Sequence, residues 1–170
     1  FEKYDQHKIL IGTIGGGLSL FDSRTELFTA FTHRQLNDRI LSIYKENQQS
    51  IWLGTWGGGL QHFNTENNKV TTYQKEGDNP NSLLNNTVIC FVPDNHWLWI
   101  GTFGGLNLMD LRTRKIERVK ALEMLNNTPV YAIYKNRNKL YIGTNGKGLI
   151  IYDVETQEVE QITKIENNTA

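Results

Sequence analysis

One short phrase occurs four times in this chain. Each copy opens with two apolar residues and Gly-Thr: Leu10-Ile11-Gly12-Thr13, Trp52-Leu53-Gly54-Thr55, Trp99-Ile100-Gly101-Thr102 and Tyr141-Ile142-Gly143-Thr144. A glycine cluster follows, then Leu, two more residues, and an aromatic or apolar position ahead of Asp or Asn. Gly12, Gly54, Gly101 and Gly143 stand 42, 47 and 42 residues apart, and recurrence at about 20 to 50 residues marks a repeat architecture. Each unit is then one supersecondary element that buries its apolar face only against a neighbour.

The third unit shows what that element is. Val88 to Val92 is apolar, Pro93-Asp94-Asn95 is a turn, Trp97 to Ile100 is rich in aromatic and β-branched residues, and Leu106 to Met109 follows the glycines. Asp110 to Thr113 supplies another turn and Lys115 to Val119 a fourth run. Such runs are too short for stable helices and suit strands. The spacing therefore predicts an all-β fold of four four-stranded antiparallel blades, stacked radially as a β-propeller fragment. The blades fall at about 1–33, with an incomplete innermost strand, then 39–75, 87–120 and 129–164. A helix over Thr113 to Asn126 is the one competing pattern. The repeat phase favours a strand over Lys115 to Val119, followed by a turn or one helical turn near Leu122 to Leu125.

Fourteen of the 15 glycines lie in the four phrases, Gly77 being the exception, and every run leads into another strand. A nucleotide loop would lead into a helix whose N-terminus meets phosphate. Gly12, Thr13, Gly54, Thr55, Gly101, Thr102, Gly143 and Thr144 are accordingly read as turn and packing positions, and Trp52 and Trp99 as core.

Charge excludes one partner class: 18 basic and 18 acidic residues are scattered along the chain, without the concentrated positive field that nucleic acid requires. Cys90 is the sole cysteine and sits in an apolar run, so it reads as a buried small hydrophobe. His7, His33, His62 and His96 share no metal-ligand spacing, so neither metal nor cofactor is expected. Asp22, Asn64, Asp110 and Asp153 recur where a short polar side chain opens a turn. A glycosidase needs a unique acid pair, so repeated acids do not suggest one. The sequons at Asn85, Asn126 and Asn167 recur for the same turn reason. No apolar run approaches the roughly 20 residues of a membrane helix.

The phrase Leu-Trp-Ile-Gly-Thr, one variable residue, Gly-Gly-Leu, two residues, Met-Asp at Leu98 to Asp110 resembles the two-component regulator propeller repeat, as does the preceding Leu84-Asn85-Asn86-Thr87-Val88. The resemblance spans nearly the whole chain. Units one and two depart from unit three by a third glycine (Gly17, Gly59), and unit four places Lys147 where they have a middle glycine. The resemblance implies the periplasmic sensor region of an inner-membrane hybrid histidine kinase, of the kind that gut Bacteroides-type organisms use to regulate polysaccharide utilisation. It further implies a ring of about seven blades, an oligosaccharide cue, and connector, membrane and kinase parts beyond this chain, which would itself phosphorylate nothing. The alternative is a structural or protein-interaction propeller of another multidomain protein.

The residue after each Gly-Thr varies: Ile14, Trp56, Phe103 and Asn145. Packing between blades is the first reading of these positions; at a turn, such rings can also stack on sugar faces or enter a partner's pocket, which makes Trp56, Phe103 and Asn145 ligand-contact candidates, with His96 and Trp97 a second aromatic pair, exposed or partly buried. In the repeat phase, Phe1 falls at the last turn of an innermost strand, and Asn167-Asn168-Thr169-Ala170 echoes the lead-in to the next one. Partner blades, or self-association through uncovered blade faces, are the expected consequence.

Overall fold

The computed structural model describes residues 1–163, so Asn167 to Ala170 lie outside the described residues. Each unit folds into a four-stranded antiparallel meander in chain order. Blade 1 holds Glu2–Lys3 (β1), Lys8–Thr13 (β2), Gly17–Asp22 (β3) and Leu27–Ala30 (β4); blade 2 holds Ile40–Lys45 (β5), Ser50–Thr55 (β6), Leu60–Asn64 (β7) and Lys69–Tyr73 (β8). Blade 3 holds Val88–Asp94 (β9), Trp97–Thr102 (β10), Gly105–Asp110 (β11) and Ile116–Glu117 (β12); blade 4 holds Val130–Asn136 (β13), Lys139–Thr144 (β14), Leu149–Asp153 (β15) and Val159–Ile162 (β16). The first strands touch in succession, β1 to β5, β5 to β9 and β9 to β13. They form the inner wall from which the blades radiate, as in a propeller.

Three apolar clusters fill the joints between blades. Leu10, Leu18, Ile40, Leu53 and Phe63 join blades 1 and 2. Trp52, Leu60, Val88, Leu98 and Met109 join blades 2 and 3, and Trp99, Leu106, Val130, Leu140 and Ile150 join blades 3 and 4. Because successive strand residues face opposite sides, a sandwiched blade buries both sets: every residue of β6 is buried. At the two ends of the arc only Leu10 of β2 is buried, and only Leu140 and Ile142 of β14.

The first glycine of each of the first three phrases lies where the next blade's inner strand arrives. A Cβ on Gly12 would collide with the Ile40 side chain, one on Gly54 would meet the Val88 carbonyl at 2.8 Å, and one on Gly101 Val130 Cγ1 at 2.8 Å. The threonine then closes the loop that follows. Thr55, Thr102 and Thr144 donate their hydroxyls to the carbonyls of Gly59, Gly105 and Gly148 at 2.7, 2.9 and 2.7 Å.

A buried amide fixes the crossover loop ahead of blades 2 and 3. Gln61 accepts from the Asn37 amide and donates to the Gln35 carbonyl, and Asn107 accepts from Leu84 and donates to Ser82. The equivalent residue of blade 4 is Ile150, fully buried. It cannot hold a polar loop, and the chain there differs from the expected full strand over Lys115 to Val119. Only Ile116 and Glu117 pair, with Met109 and Leu108. A 3₁₀ segment, Lys120–Leu125, then inserts Leu122 and Leu125 into the joint. Burying those leucines outweighs extending a strand by three residues.

Candidate functional site: the rim where second strands turn into third

The glycine loops and the crossover loops meet at one end of the arc. Gly15 and Gly17 both donate to the Asp38 carbonyl, Gly59 donates to Asn86, and Asn127 donates to Gly104. These bonds tie each loop to the next blade, so the rim is a fixed surface built from repeated parts.

On this rim the residue after Gly-Thr is held by its own amide. Trp56 donates to the Arg39 carbonyl, Phe103 to Thr87 and Asn145 to Pro129. Trp56 and Phe103 meet edge to face with centroids 5.6 Å apart. Phe103 in turn meets Tyr131 at 6.1 Å, again edge to face. Trp56 is 47% and Tyr131 50% exposed, with Ile14 at 67% continuing the row onto blade 1. The result is an exposed apolar row that crosses all four blades.

Asn145, the candidate of blade 4, stands exposed on the rim, and the aromatic of that blade that meets Phe103 is Tyr131. Its position follows from the inner strand. Val130 pairs with Thr144 and Ala132 with Gly143, so Tyr131 is the extra residue of a β-bulge, and bulges re-aim a side chain. The same irregularity occurs at Leu41 and Ile89. An aromatic directly after a buried β-branched residue, where alternation breaks, was the available signal.

His96 and Trp97 pack on each other at 4.8 Å, but they lie at the opposite end of β10 from Thr102 and Phe103. A six-residue strand spans about 17 Å, so the two aromatic groups do not form one site.

A second polar cluster locks blade 2 to blade 3. Ser50 Oγ donates to Glu46 Oε2 at 2.7 Å and lies 2.6 Å from His62 Nε2. Trp52 Nε1 donates to the same carboxylate at 3.0 Å, and Arg114 of blade 3 reaches it at 3.5 Å while covering the Trp52 ring. Burial opposes ionisation of Glu46, yet the bonds from Ser50 and Trp52, with Arg114 beside them, hold it below the usual carboxylate range. Burial and Arg114 push His62 down, partly offset by Glu46. In a nucleophilic triad the acid orients the imidazole; here the acid accepts a hydrogen bond from the serine hydroxyl instead, and Ser50 is only 7% exposed. The cluster is built to hold a joint.

Fold and rim together define four blades of a β-propeller. No known family's sequence profile matches the chain, and no curated protein matches it. Solved structures do. The extracellular domain of BT3049 from B. thetaiotaomicron, described as a hybrid two-component system, is similar over 98% of this chain and 21% of its own, at 22% identity and TM-score 0.79. That of BT4673 from the same organism, described as a one-component system, matches over 96% of this chain and 22% of its own, at 21% identity and TM-score 0.75. PorZ of Porphyromonas gingivalis, a surface component of a type-IX secretion system, matches over 89% of this chain and 25% of its own, at 15% identity and TM-score 0.68. This chain thus spans a quarter or less of each of these proteins. At such identities the likeness establishes the propeller fold that the sequence resemblance implied. Among the described residues, no helix is long and apolar enough to cross a membrane.

Proposed function

We propose that this chain is part of the extracytoplasmic ligand-sensing region of a membrane-anchored two-component signalling protein, and that its cue is an oligosaccharide. The observation that carries the reading is the agreement of the fold along the whole chain with the extracellular domain of a protein described as a hybrid two-component system. The Gly-Thr phrases, which resemble a sensor propeller repeat, support it independently. The rim adds suitable chemistry: rings that pack against sugar C–H faces, on loops held by backbone bonds. In this reading the chain binds and transmits, and the phosphorelay belongs to other parts of the longer protein.

The test is a glycan screen on the extracytoplasmic region that contains this chain, with hits measured by calorimetry. Saturable binding of at least one oligosaccharide class is expected. Absence of binding across plant, host and microbial glycans overturns the reading.

A further inference from the structure

Between blades 1 and 2 the rim sinks into a depression of about 480 Å³ lined by Ile14, Gly15, Asp38, Arg39 and Trp56. That volume lies in the range of about 300 to 1,000 Å³ typical of small-molecule sites. Ile14 and Trp56 supply its apolar walls, and they are among the most exposed large hydrophobic residues of the chain.

The polar residues are placed by their backbones. The Asp38 carbonyl accepts from Gly15 at 2.7 Å and Gly17 at 3.0 Å. The Arg39 amide is capped by Asn37 Oδ1 at 2.8 Å, its carbonyl accepts from Trp56, and the residue bridges to Ile14. Neither the Asp38 carboxylate nor the Arg39 guanidinium joins any of the ion pairs among the described residues. An acceptor with two oxygens and a five-donor fork therefore stand beside an aromatic wall, with no partner of their own.

We infer that this depression seats a neutral pyranose unit, one C–H face against Trp56, with hydroxyls donating to Asp38 and accepting from Arg39. The inference rests on the sensing function proposed above and names the place and sugar class. Neutrality follows from charge: Asp38 and Arg39 cancel, so the seat offers a uronate no net attraction, while alternating acceptor and donor match adjacent hydroxyls. Phe103 and Tyr131 continue the wall toward blade 4, giving further sugar units a surface to follow.

The test titrates the 170-residue chain with neutral gluco-, manno-, xylo- and galacto-oligosaccharides and with galacturonate oligomers, read by tryptophan fluorescence. Trp52 and Trp99 are 0% and 4% exposed, so a sugar-dependent change reports on Trp56 or on Trp97 at the opposite end of β10, and Trp56→Ala tells the two apart. At least one neutral class should bind, Trp56→Ala should weaken it about tenfold or more, and Trp56→Tyr should retain most of the affinity. Asp38→Asn and Arg39→Gln should each weaken binding without lowering the melting temperature. Sugar binding that Trp56→Ala leaves unchanged by calorimetry overturns this seat and leaves the sensing function standing. A preference for galacturonate over every neutral class overturns the sugar assignment. No saccharide binding here or in the glycan screen overturns both proposals.

Discussion

Two tryptophans at equivalent positions do different work. Both are buried, but Trp52 donates its indole N–H to Glu46, whereas that of Trp99 has no acceptor. Replacement by Phe removes similar area from each, so the difference reports chiefly on the bond, with the Arg114 cover of the Trp52 ring adding to it. We expect Trp52→Phe to cost about 1.5 to 3 kcal/mol more than Trp99→Phe, the worth of a hydrogen bond to a charged group, measured by urea unfolding. Cys90 gives a second check at this scale. Burial pushes its thiol up from 9.0 to about 12. In the unfolded chain the thiol ionises near pH 9 while the folded one stays protonated, so the folded state binds more protons between those values. Stability should therefore fall as pH rises from about 9 to 12, and be unaffected by this group below that window. Native Cys90 should resist iodoacetamide at pH 8 and react promptly in denaturant.

At the scale of the blade, the glycine opening each phrase answers to the neighbouring inner strand. A Cβ at Gly54 or Gly101 collides with backbone or β-branched atoms of the next blade, whereas at Gly143 the nearest contact is Ala132 at an ordinary 3.7 Å. Gly54→Ala and Gly101→Ala should each destabilise by about 1 to 3 kcal/mol, the usual cost of overpacking. Gly143→Ala should change the midpoint little. Much of this element was legible in advance, because strands with a fixed repeat leave a periodic pattern. The Asp and Asn turns were legible too. Asp22, Asn64, Asp110 and Asp153 each accept from the amide two residues on. What the sequence concealed were the left-handed residues that end those turns, Glu26, Asn68, Arg114 and Gln157, none of them glycine. Tyr131 was hidden by its bulge; the helical turn near Leu122 to Leu125 was expected, but not that the strand before it would shrink to Ile116 and Glu117. In each case the deciding force is a contact made by another blade, which local pattern does not record.

Across the whole molecule, the two ends of the arc carry apolar side chains on their outward faces. Phe21 and Phe28 stack at 4.8 Å on blade 1, with Phe28 64% exposed; Tyr134 and Tyr141 pair at 6.1 Å on blade 4, with Tyr134 65% exposed. Exposed apolar sheet of this kind favours association, so light scattering should show a mass that grows with concentration, and Phe28→Lys should reduce it. The rim, by contrast, is the surface that all four blades build together. Its role is tested most directly by amide NMR of the chain titrated with the tightest-binding neutral oligosaccharide from the fluorescence series. Shifts concentrated at Ile14 to Gly16, Asp38, Arg39, Trp56 and Phe103 are the expected result. Shifts centred instead on His96, Trp97 and the opposite hairpins, with the rim silent, would contradict it.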